Sequence, residues 1–154
     1  MDNSFRVGKL TEALVAANMT GSADPYAMAA KTIRETVHVA LRAIPAWDPS
    51  ADLAIEEAVR GGIQALVLAD LDVARGGYLT LCEMTDMAHE LGRDPGDTLL
   101  CAMRGIVSLR RLVPDDQMVR LRRAVDSGFL GAGAALEGLL RAAPGIGQGA
   151  PFTA

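Results

Sequence analysis

The strongest constraint on what this chain can fold into is its punctuation. An aspartate stands directly before a proline at Asp24-Pro25, Asp48-Pro49 and Asp94-Pro95. That pair is a helix-start signal. The carboxylate accepts hydrogen bonds from amides of the first turn, and proline, with its fixed φ and no N–H, suits the first helical position. Apolar residues at three- and four-residue spacing follow each start, and nothing alternates with period two. The pattern predicts an all-α fold.

Composition supports the same reading. Half of the 154 residues are apolar, yet only 4% are aromatic. The core must then be built from Ala, Leu, Val, Ile and Met, a set suited to closely packed helices rather than a sheet. A chain of this length buries about two-thirds of its unfolded surface in one core. The surplus of apolar residues hints at a buried face beyond the monomer.

About seven helices are expected, in one domain over residues 1–143, followed by a flexible Gly/Pro-rich tail, 144–154. The first runs from Ser4 to Met19 with Leu10, Leu14 and Ala17 inward. The second runs from Pro25 to Ile44 with Met28, Ile33, Val37, Leu41 and Ile44 inward, and Pro45 stops it. The third, Ser50 to Leu71, buries Ile55, Val59, Ile63 and Leu66. It contains Gly61-Gly62, each glycine costing about 1 kcal/mol relative to alanine, so the pair marks either a close helix approach or a break. A short fourth helix starts at a capping box of Thr80 and Glu83 and ends at Leu91, capped by Gly92. The fifth spans Pro95 to Leu112, the sixth Pro114 to Asp126 and the seventh Phe129 to Ala142. The middle four form two helix–loop–helix units.

Charge excludes some functions. Residues 1–92 carry 7 Lys/Arg against 13 Asp/Glu, and residues 93–154 carry 8 against 6. The basic cluster of Arg104, Arg110, Arg111, Arg120, Arg122 and Arg123 is weaker than a nucleic-acid face requires. Cys82 and Cys101 have no paired spacing and no zinc-type partners, as expected of a reducing compartment. The N-terminus lacks the basic-then-apolar order of a signal peptide, and no apolar run reaches the ~20 residues of a membrane span. These features predict a cytoplasmic, soluble protein.

The segment Asp72-Val-Ala-Arg-Gly-Gly-Tyr-Leu-Thr-Leu-Cys-Glu83 has the outline of a calcium loop: an acidic first place, Gly77 at the sixth, Leu79 at the eighth and Glu83 at the twelfth. Residues 63–126 thereby resemble a degenerate EF-hand pair of the calmodulin type. The outgoing helix carries Met84, Met87, Ala88 and Leu91, and Val113-Pro-Asp-Asp-Gln-Met118 echoes Leu79 to Met84 at an offset of 34. The chain departs from that family at Ala74 and Gly76, where oxygen ligands belong, and at Gln64. The resemblance implies at most a weak calcium site on Asp72 and Glu83. Leu79-Thr80 through Leu91-Gly-Arg-Asp-Pro95 also resembles the helical unit of the tellurite-resistance TerB family, although Gly76-Gly77 replaces that family's acidic turn.

Glu35-x-x-His38 and Asp86-x-x-His89, with Glu12 and Glu56 or Glu57, match the inventory of a carboxylate/His iron site in a four-helix bundle. Against this, Lys31, Arg34, Glu35, His38 and Arg42 form one polar stripe, where ligands would have to point inward. No nucleophile-and-base pair is visible, so the reading leans away from an enzyme and no cofactor is expected beyond calcium. Met84, Met87, Met103 and Met118 suit an adaptable groove for a partner helix, and equally suit core packing. The expected function is a non-enzymatic interaction or regulatory module, self-associating or binding a partner through an apolar, Met-containing face. The alternative is a metal-binding helical protein.

Overall fold

The computed structural model describes residues 3–142. They form seven α-helices: α1 (Asn3–Met19), α2 (Pro25–Arg42), α3 (Ser50–Leu68), α4 (Val73–Leu91), α5 (Pro95–Val107), α6 (Asp115–Gly128) and α7 (Ala132–Ala142). A single 3-10 turn, Arg110–Leu112, links α5 to α6. No strand occurs among the described residues. The tail expected at 144–154 lies outside them.

The aspartate–proline pairs act as helix starts. Asp24 accepts from the amide of Ala27 at 3.1 Å, and Asp94 from Gly96 and Asp97 at 2.8 and 3.2 Å. At the third pair Asp48 accepts from Ser50 at 2.9 Å, while Pro49 already has helical dihedrals. Gly92 ends α4 in the left-handed region at φ 69°, and the Arg93 amide folds back onto the Ala88 carbonyl. The same closure ends α3 without a glycine. Asp70 stands at φ 59°, with Asp70 N–H on Val67 and Leu71 N–H on Leu66, so α3 stops at Leu68 rather than Leu71.

The largest departure from expectation is α4, which begins at Val73 and not at Thr80. Asp72 supplies the cap, accepting from the Ala74 amide at 3.0 Å. Gly76 and Gly77 lie within the helix and are both buried, Gly76 against Leu66 and Gly77 against Leu121 and Ile106. A Cβ on Gly76 would lie 2.3 Å from a methyl of Leu66. Thr80, expected as a cap, is a fully buried mid-helix residue whose hydroxyl donates to the Gly76 carbonyl at 2.8 Å.

Helix α3 is the centre of the bundle. It packs against α1, α2, α4 and α5, and Ile55, Val59, Ile63 and Leu66 are all fully buried, as their spacing predicts. The α1 crossing is a backbone contact: a Cβ on Gly61 would lie 2.0 Å from the carbonyl oxygen of Gly8. Gly105 of α5 also approaches backbone closely, and a Cβ there would lie 2.5 Å from the Glu56 carbonyl oxygen. Gly61-Gly62 is therefore a close approach and not a break.

That crossing decides which side of α1 is buried. Gly8, Thr11, Val15 and Met19 face inward, and the Thr11 hydroxyl is satisfied by the Val7 carbonyl at 2.6 Å. Leu10, Leu14 and Ala17, expected inward, are exposed. The helix carries two apolar stripes, and only the one with a glycine can approach α3 this closely.

Gly61→Ala should destabilise the protein by about 3 kcal/mol or more, since a backbone oxygen cannot turn aside as a side chain can. Gly138→Ala, in α7 with nothing within 4 Å of the new methyl, should stabilise it by about 0.5–1 kcal/mol. Denaturant melts of the two variants check both signs.

Candidate functional site

The positions that suggested a calcium loop are set along one helix. Asp72 caps α4 and Glu83 lies eleven residues further on in the same helix, which separates them by about 16 Å of rise. They do not converge, and each carboxylate has another partner. Asp72 receives the Arg120 guanidinium at 2.8 and 3.2 Å. Glu83 receives Arg34 of α2 at 2.8 Å, and Arg34 also holds Glu90 one further turn pair along α4.

The start of α4 is tied down from three sides. Asp72 N–H donates to the Tyr26 hydroxyl at 3.0 Å, and Val73 N–H to Oε1 of Gln117 at 2.9 Å. The Arg75 guanidinium lies 4.8 Å from the centre of the Tyr26 ring. The orphan amides of the helix end are thus satisfied by α2 and α6 as well as by the cap. The Arg120 hydrogen bonds hold the Asp72 carboxyl below its ordinary range, ahead of the opposing effect of desolvation.

The other metal inventory does not assemble either. Glu35, Asp86 and His89 are exposed, and the described residues contain no group of three or more His, Cys, Asp or Glu placed to hold an ion. The thiols are not activated. Burial pushes the Cys101 thiol up to about 11, and desolvation raises that of Cys82. Both cysteines are free.

Met84, Met87, Met103 and Met118 belong to the core. All four are buried among Leu81, Ile106, Leu121 and their neighbours. In this packing they form no open groove, because α6 and α5 cover the face of α4 on which two of them stand.

An exposed apolar face lies on the outer side of the α1–α2 hairpin. Leu10, Leu14 and Val39 are 54%, 39% and 68% exposed. On α1 the exposed apolar residues Leu10, Ala13, Leu14 and Ala17 follow the i, i+3, i+4, i+7 spacing of an amphipathic stripe. This stripe lies about 150° round the helix from the buried one, at 100° per residue. Beside it runs a groove of about 480 Å³, lined by Val7, Leu10, Leu14, Thr36, Val39 and Ala40 among others. Its polar side chains are Asn18, which donates to the Thr32 hydroxyl at 3.0 Å, Thr36, which donates to the Thr32 carbonyl at 2.9 Å, and the exposed Glu35 at its edge. The sequence carries this face as the leucine-bearing stripe of α1, which hydrophobicity alone places in the core.

No described helix is long and apolar enough to cross a membrane. No family model, no curated protein and no solved structure matches the chain.

Two outcomes follow from this geometry. Asp72 has a folded-state value below the 3.8 of the free carboxyl, so its ion pair stabilises the protein at neutral pH and that contribution is lost as pH falls below about 4. Asp72→Asn keeps an oxygen for the cap but removes the charge. Its deficit in melting temperature at pH 7 should narrow steadily on acidification, and a constant deficit would remove Arg120 from the account. Millimolar calcium should leave the melting temperature where chelator leaves it, in the wild type and in Glu83→Gln alike. A rise of several degrees that Glu83→Gln abolishes would instead require α4 to unwind around an ion.

Proposed function

We propose that this chain is a helical interaction module that binds protein through the exposed face of α1 and α2. The observation behind the proposal is the contiguous apolar stripe of Leu10, Ala13, Leu14 and Ala17 beside Val39, which none of the described residues covers. Each large apolar side chain moved out of water gains about 1.5–3 kcal/mol. Leu10, Leu14 and Val39 standing beside a groove offer a partner three large apolar side chains to cover. The groove has the shape for an amphipathic helix presenting its own apolar residues at i, i+3 and i+7.

The polar chemistry of the chain favours the same reading. Three of its arginines are committed to ion pairs between helices: Arg34 with Glu83 and Glu90, Arg93 with Asp52, and Arg120 with Asp72. The grooves that do gather polar side chains hold them in ion pairs, Glu57 with Arg60 in one and Asp72 with Arg120 in the other. Two free thiols suit the reducing conditions of a cytoplasm.

Selection of amphipathic helical peptides from a displayed library tests the proposal. Enriched peptides should bind the wild type and lose at least about tenfold in affinity to Leu10→Glu and to Val39→Lys. Both variants should melt within about 0.5 kcal/mol of the wild type, because both side chains point into solvent. No enrichment, or peptides that bind the variants as well as the wild type, would overturn it.

A further inference from the structure

We propose that the hollow between the ends of α1 and α3 binds a small organic cation, an ammonium group carried on an apolar body. This site is separate from the α1–α2 face and shares no lining residue with the groove there.

The hollow has a volume of about 440 Å³, within the range of small-molecule sites. Three elements wall it: α1 through Ala16 and Met19, the start of α2 through Pro25, and the end of α3 through Ala65 and Leu68, with Leu71 just beyond. Leu68 is 69% exposed although it belongs to the central helix. A ligand lying along the hollow takes that side chain out of water.

The walls are apolar, and the charge on them has one sign. Among the described residues Glu12 is the one ionisable side chain of the lining. It is half-buried, and none of the ion pairs among the described residues includes it. Lys9 and Arg60 lie on a smaller groove that Glu12 also borders, and neither lines the hollow. Arg60 is turned to Glu57 at 3.5 Å.

The backbone adds to the same potential. Helices α1 and α3 both end at the hollow, and neither has a basic residue in its last turn, so their carbonyl ends are negative and uncompensated by a side chain. The start of α2 has the opposite sign, and the Asp24 carboxylate caps it. A cation is favoured here and an anion repelled. With the ammonium at Glu12, the apolar body runs along α1 towards Met19, about 10 Å further on, a span suited to a chain of about six carbons. Burial of that chain supplies the affinity, and Glu12 supplies the choice of charge.

The probe is hexylammonium, titrated at pH 7 into the full chain and followed by amide chemical shifts, with hexanol and hexanoate as controls at equal ionic strength. Saturable shifts are expected at Ala16, Met19, Ala65 and Leu68, with hexanoate bound at least about tenfold more weakly than hexylammonium. Glu12→Gln should weaken hexylammonium about fivefold and leave hexanol unchanged. Ala16→Phe, which fills the hollow from an exposed position of α1, should abolish the binding of both. Shifts that do not saturate and spread over the exposed carboxylates overturn the proposal. So does equal binding of hexanol or hexanoate, or an affinity indifferent to Glu12→Gln. The comparison of the three probes uses the wild-type chain, so it decides the question even where a variant folds poorly.

Discussion

Helix α3 is held between α1 and α5 at separations where no side chain fits: Gly61 against the Gly8 backbone on one side, and Gly105 against the Glu56 and Arg60 backbone on the other. Contact of this kind cannot be adjusted by rotamer changes, so it fixes the positions of the two flanking helices before any larger side chain is placed. The remaining core is then set by what fits around α3. Ile33 of α2 lies where a Cβ on Gly62 would be, Leu66 of α3 fills the space left by Gly76, and Leu121 and Ile106 close over Gly77. A core with few aromatic residues is thereby filled by bringing backbones together.

The polar interactions follow this frame. Arg34 joins α2 to α4 through Glu83 and Glu90, Arg93 joins the start of α5 to Asp52 of α3, and Arg120 joins α6 to the cap of α4. All three involve partly exposed groups, so they orient helices more than they hold them together. The start of α4 is the most constrained of these places. Its amides are taken up by Tyr26, Gln117 and Asp72, which explains why an aspartate stands at the head of a segment otherwise poor in oxygen ligands.

Much of the fold was legible because helix starts are local. Asp24, Asp48 and Asp94 cap as their sequence context requires, and Gly92 ends its helix in the left-handed conformation. The segment from Asp72 to Glu83 misled for the same reason. Gly76-Gly77 reads locally as a turn, and Thr80 with Glu83 reads locally as a capping box, but packing against Leu66, Leu121 and Ile106 makes the pair a helical close-packing surface. The four methionines were legible as apolar and adaptable. Which side of the bundle they face depends on where α5 and α6 lie, and no local pattern carries that. The proposed docking face was visible as a stripe and misplaced as core.

The sequence by itself determined the all-α class, most helix starts and the inward residues of α3, since capping and 3.6-residue periodicity are properties of a helix considered alone. Tertiary structure decided the length of α4 and the buried side of α1. Helix α1 has one apolar stripe with leucines and another with Gly8, and hydrophobicity alone favours the first. The crossing with α3 admits only the second, because Gly61 brings the two backbones closer than a leucine allows. Close approach selects the smaller residues for the core and leaves the larger ones, Leu10 and Leu14, facing out.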